Sequence, residues 1–343
     1  MVVDLFVLSV SVECLACDRA AEFAAFGPLV AYQHTPTGGS FMDTGFWQSI
    51  IDADFAVPDG SSVTDLTPQL ISFLSSSDSQ LRDTFGFPIL AVWIDRGGYY
   101  SPDQLRELGA QMIHNLSVGL GESETDTVFG RAFSALILGK IIDADNRQSF
   151  LSTDEVHSWV DQALTYVQGE RDVRGFIPHK GWAHAIAHMG DLLMYLARNR
   201  HVGVLHLEQI VENIGRRMAE PVRYVYRALE DERMAYAVMV ALQRELLAPA
   251  FLSAWVDRLA HQWSGSEWST TIMMDETANA YHNTRQFLRS LYFQLLVGIQ
   301  APFWYSDPTP FKHIPSVRET LLNQIIAGLR VMDLGFYAAA PKP

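Results

Sequence analysis

Between Phe176 and Leu193 the chain reads Phe-Ile-Pro-His-Lys-Gly-Trp-Ala-His-Ala-Ile-Ala-His-Met-Gly-Asp-Leu-Leu. Pro178 and Gly181 punctuate a loop, and the Ala-rich run that follows predicts a helix from Trp182 to about Asn199. On that helix His184, His188 and Asp191 share an arc of about 60°, and Tyr195 lies one turn further on. Trp182, Ile186, Met189, Leu193 and Leu196 fall on the opposite side, the side built for burial. Imidazoles four residues apart can ligate one divalent ion, most readily zinc, with the Asp191 carboxylate as third ligand or general base. His179, on the preceding loop, offers a further ligand or an acid. A metal-bound water would then be the nucleophile of a metal-dependent hydrolase acting on a phosphoester or other ester. The same residues also suit a hydrogen-bonded polar network between helices, and both readings stand at this point.

Two further polar stripes bear on that chemistry. Thr127, Arg131 and Ser134 share one face of a helix opened by Asp126, and His282, Arg285, Arg289 and Tyr292 share one face of a late helix. Arg131, Arg285 and Arg289 would hold the anionic part of a small substrate. The alternative for each is an ion pair with a neighbouring helix. Glu230-Asp231-Glu232-Arg233 begins another helix, where the dipole favours acidic residues, and a carboxylate from it could complete a metal site.

The elements that must position these groups read as helices from Phe41 onwards. Starts are written at Ser101-Pro102-Asp103 and at Ser152-Thr153-Asp154-Glu155, and Gly97-Gly98 marks the end of a helix predicted over 78–95. Further helices are expected over 65–75, 101–116, 127–142, 152–168, 205–219, 231–247, 249–263, 278–299 and 317–334. Period-two runs of β-branched residues are scarce. The expected fold is all-α: a degenerate HEAT-like stack of antiparallel helix hairpins, with an α/α toroid as the alternative. Residues 1–60 read as an N-terminal extension and 61–343 as one helical repeat-like domain.

The chain has 343 residues, 48% of them hydrophobic, and a mean hydropathy of +0.05, enough to bury a large core. A net charge of −14 argues against nucleic acid or an anionic membrane as partner. The start has no basic region before its apolar run and no segment has the length of a membrane span, so a cytoplasmic protein is expected. Cys14 and Cys17, the only cysteines, lack the second pair that a zinc site would need. Dinucleotide, P-loop, α/β-hydrolase and zincin signatures are absent.

The block from Arg171 to Leu193, above all Gly181-Trp182-Ala183-His184-Ala185 with His188 and Asp191-Leu192-Leu193, resembles the hallmark of a bacterial family known as domain of unknown function 2785. Asp78 to Asp83, Thr125 to Ser134, Phe150-Leu151-Ser152, Glu230 to Arg233 and Asn283 to Leu291 resemble it in the same order. The resemblance implies a helical, HEAT-like or toroidal fold and implies no activity. It groups the polar residues of the central helix with those of its neighbours. A non-catalytic scaffold binding a protein or peptide in a concave face is the second expectation. It predicts a His/Asp face satisfied by hydrogen bonds to adjacent helices.

Overall fold

The computed structural model describes residues 43–263, 275–302 and 308–333. Cys14, Cys17 and the apolar start lie outside the described residues. The chain divides into two compact units, Met1–Ala56 and Val57–Pro343. In the first, α1 (Thr44–Asp52) is capped by the Asp43 carboxylate, which accepts from the Gly45 N–H.

The fold is all-α, with twelve α-helices and one two-stranded ladder among the described residues. The second unit begins with α2 (Val63–Leu74), then a π-helical turn over Gln80–Gly86 that runs into α3 (Phe87–Arg96). The expected single helix over 78–95 is therefore two differently wound pieces. Gly86 lies so close to α2 that a Cβ there would stand 3.0 Å from that of Phe73. Pro88, with no N–H to give, follows at the first turn of α3. Gly97 and Gly98, both at positive φ, end α3.

Next come α4 (Pro102–Asn115), α5 (Thr127–Arg147) and α6 (Thr153–Gly169). Capping boxes at Ser101/Gln104 and Ser152/Glu155 fix the starts of α4 and α6. The hairpin β1 (Phe176–Ile177) and β2 (Gly181–Trp182) leads into α7 (Ala185–Arg198), followed by α8 (Val204–Met218) and α9 (Glu230–Leu242). The chain continues through α10 (Pro249–His261) and α11 (Asp275–Val297) to α12 (Arg318–Met332).

Packing falls into two rows. Helices α5, α7, α9 and α11 each rest on the next, while α4, α6, α8 and α10 form a second row alongside. Hairpin stacks and toroids share this alternation. Two glycines allow the close approach in the first row. A Cβ on Gly190 of α7 would lie 2.9 Å from the Arg233 backbone carbon of α9, and one on Gly139 of α5 would lie 2.8 Å from the Tyr195 ring. So α7 is enclosed on nearly every side, with only Asp191 and Arg198 partly open. The amphipathic reading with one polar face is corrected: this helix has no solvent face.

Candidate functional site

The second correction concerns where α7 begins. The expected helix from Trp182 instead starts at Ala185, because the residues before it are drawn into the hairpin. Gly181 takes φ +81 opposite Ile177, and the ladder is extended by Ala183 N–H to Gly175 O (2.9 Å) and His184 N–H to Arg174 O (3.2 Å). His184 is consequently the N-cap, in the left-handed region at φ 55, a conformation that histidine tolerates better than most side chains. Trp182 is not on the far face of the helix. Its indole lies over the His184 ring, with centroids 4.7 Å apart.

His184 is 8% and His188 5% exposed, with ring centroids 5.6 Å apart. The Nε2–H of His184 donates to the Ala228 carbonyl at 2.7 Å, and the Nδ1–H of His188 to that of Ala132 at 3.2 Å. These carbonyls select one tautomer for each ring. Burial, with the Arg233 cation adding to it, lowers the His184 pKa to about 4. Burial holds His188 well below its ordinary range, helped by His184 and Arg233. Both rings are therefore neutral at physiological pH.

Asp191 is held by Arg233, whose Nη1 donates to Oδ2 at 2.7 Å. Burial pushes this carboxyl up, against the pull of the arginine. The carboxylate nearest the histidines is instead Glu230, whose Oε1 is 3.6 Å from His184 Nε2. Its Oε2 accepts from the Ala228 N–H at 2.6 Å, while Oε1 is buried without a hydrogen-bond partner. Burial raises the Glu230 pKa. Among the described residues, no group of three or more His, Cys, Asp and Glu is placed to hold a metal ion.

The remaining expected residues are spread out. His179 is exposed, at φ 66, on the hairpin turn between β1 and β2. Tyr195 is buried against Gly139, about 16 Å along α7 from His184 at 1.5 Å per residue. The Arg131 guanidinium is fully enclosed: Nε and Nη2 grip Glu170 at 2.6 and 2.9 Å, and Nη1 donates to Val118 O, Gly119 O and Thr127 Oγ1. Arg285 and Arg289 both reach Asp333 at 3.1 Å, and Tyr281 donates to the same carboxylate at 2.6 Å.

Several segments distant in sequence do converge on the His184–His188 turn. Arg82, from the π-helical turn, donates to Lys180 O at 2.7 Å and lies over the Phe129 and Phe133 rings. Phe133 meets His188 edge to face at 5.1 Å. Arg174 reaches Thr125 O, and Lys180 pairs with Asp126. Asn283 of α11 accepts from Tyr226 N–H and donates to Tyr224 O, fixing the loop that presents Ala228 to His184. Arg82 and the exact role of Glu230 escape a sequence reading. Neither stands at a recognisable spacing from the histidines, and only their occurrence in the shared ordered segments signals them.

A family model described as "Protein of unknown function (DUF2785)" matches residues 116–293, a span that runs from the end of α4 well into α11. No curated protein and no solved structure matches the chain. The match takes in the hairpin, both histidines, Glu230 and Asn283, and it covers just over half of the chain, so this protein belongs to the DUF2785 family of proteins of unknown function.

Proposed function

We propose that the chain is a non-catalytic helical scaffold that binds a protein or peptide segment on a face of its stacked helices, in the cytoplasm. One observation carries the reading: the groups suited to chemistry are taken up by neighbouring elements. His184 and His188 give their N–H groups to backbone carbonyls, Asp191 is paired with Arg233, Arg131 with Glu170, and Arg285 and Arg289 with Asp333. Buried polar groups so arranged serve a joint between helices and loops.

The metal-dependent hydrolase is the second reading, and specific features favour it. His184 is held at a backbone conformation that costs energy, and beside it Glu230 keeps a buried oxygen without a partner. In that reading His184, His188 and a carboxylate would hold a divalent ion, most readily zinc, which would activate a water toward a small anionic ester. As placed, the donors do not fit: Asp191 is committed to Arg233, and the Arg233 cation acts on both imidazoles.

Metal content by plasma mass spectrometry separates the two, measured on untagged protein beside the double variant His184→Ala/His188→Ala. The scaffold reading expects no stoichiometric metal in either protein and a less stable double variant. About one zinc, iron or manganese per chain, lost on substitution, would overturn it.

A further inference from the structure

A cleft of ≈ 560 Å³ opens where α6, α8 and α10 end, away from the histidine cluster. That volume is in the range of small-ligand sites. Four arginines line it, Arg171, Arg216, Arg217 and Arg258, against two carboxylates, Glu212 and Glu220. In a chain of net charge −14 this is a local reversal of sign.

The four arginines are not equivalent. Arg217 is buried and spends Nε and Nη2 on Val167 O, satisfying the last turn of α6. Glu220 holds both Arg171 and Arg217 at 2.6 Å, but only Arg217 is buried, and Arg171 is half-exposed. Arg258 pairs with Glu212 in an exposed bridge, the kind that solvent weakens and a better acceptor displaces. The Arg216 side chain is exposed and makes no hydrogen bond or ion pair among the described residues. The cleft thus has one fixed guanidinium, that of Arg217, and exposed ones, Arg216 and Arg258 among them, able to close on an incoming group. Planar guanidinium forks match the paired oxygens of phosphate and carboxylate.

We propose that this cleft binds an oxyanion group, a phosphate or a carboxylate, through Arg216 and Arg258, with the buried Arg217 as its fixed wall and Arg171 beside it. The assignment is independent of whether the chain is a scaffold or an enzyme. Isothermal titration of the full chain with inorganic pyrophosphate and, separately, with succinate tests it. The variants are Arg216→Ala/Arg258→Ala, both on exposed side chains, and Glu212→Gln, which releases Arg258. Arg223→Ala, an exposed arginine paired with Glu276 outside the cleft, is the control. Saturable binding of either anion, weakened about tenfold or more in the double variant, tightened in Glu212→Gln and unchanged in Arg223→Ala, is the expected result. Absence of saturable binding for both anions, or equal weakening by the control, would overturn the site. Circular dichroism of each variant separates loss of binding from loss of fold.

Discussion

At one end of α7 a buried carboxylate accepts five hydrogen bonds; at the other, a buried carboxylate keeps one oxygen without any. Asp145 Oδ1 takes Phe150 N–H, Leu151 N–H and Arg200 Nη2, and its Oδ2 takes Asn199 Nδ2 and Arg200 Nη1. Those donors outweigh burial and hold its pKa below the ordinary value. Around Glu230 and the histidines every shift runs the other way: the imidazoles are pushed toward neutrality and the carboxyl upward. One end of α7 is a charged knot with every acceptor used. At the other the imidazoles are neutral and burial works against the charge on Glu230, since burial penalises neutral groups far less than charged ones. A buried acidic side chain therefore says little by itself; the donors that surround it decide whether it works as an anion.

The widest gap between the two ends comes from the matched substitutions Asp145→Asn and Glu230→Gln. Asp145→Asn removes the charge that holds Arg200 and puts an amide where an N–H acceptor is needed. It is expected to lower the unfolding free energy by about 3 kcal/mol in urea denaturation. A helix crossing that both ends depend on comes next. Gly190→Ala places a methyl against the Arg233 backbone and is expected to cost about 2 kcal/mol by the same assay, because backbone cannot step aside as a flexible side chain can.

The pH dependence of His184→Gln is a smaller effect of defined sign. The folded pKa of about 4 lies below the unfolded value of 6.5, so the unfolded chain takes up the proton first. The stability that neutral His184 provides is fully present above pH 6.5 and is lost as pH falls toward about 4. The cost of His184→Gln should therefore be largest near neutral pH and shrink below it, by at most about 1.4 kcal/mol per pH unit. A cost that grew on acidification would mean that the folded ring is charged. Glu230→Gln should change stability least, by under about 1 kcal/mol, since burial already works against the charged carboxylate and the amide oxygen can still accept from Ala228. A loss as large as that of Asp145→Asn would erase the distinction between the ends.

Much of the fold is legible in local signals. Ser101 with Gln104 and Ser152 with Glu155 announce α4 and α6, Gly97-Gly98 closes α3, and Asp126 stands just ahead of α5. The start of α7 is not legible in the same way. Ala and Leu propensity extends the helix back to Trp182, whereas the strand pairing of Gly181 and Trp182 with Ile177 and Phe176 is a longer-range choice that overrides it. The π-helical turn escapes for a similar reason, since it depends on how closely Gly86 meets α2. At the candidate site, residue types and order mark His184 and His188. Asp191 looks like their partner by helical spacing, yet the helix does not include His184 and Arg233 claims the carboxylate. Glu230 reaches the histidine from another helix, and one-dimensional spacing carries no such information.

The scaffold reading rests on two neutral imidazoles with defined tautomers, and it expects no metal between them. Nitrogen NMR of the full chain, with selectively labelled histidine, reads this directly across a pH titration and with zinc added. The account predicts the proton on Nε2 of His184 and on Nδ1 of His188, protonation of His184 only near its pKa of about 4, no titration of His188 in the ordinary histidine range, and no change in either spectrum with zinc. Resonances that move to metal-bound positions with stoichiometric zinc, or rings that titrate near 6.5, would contradict it.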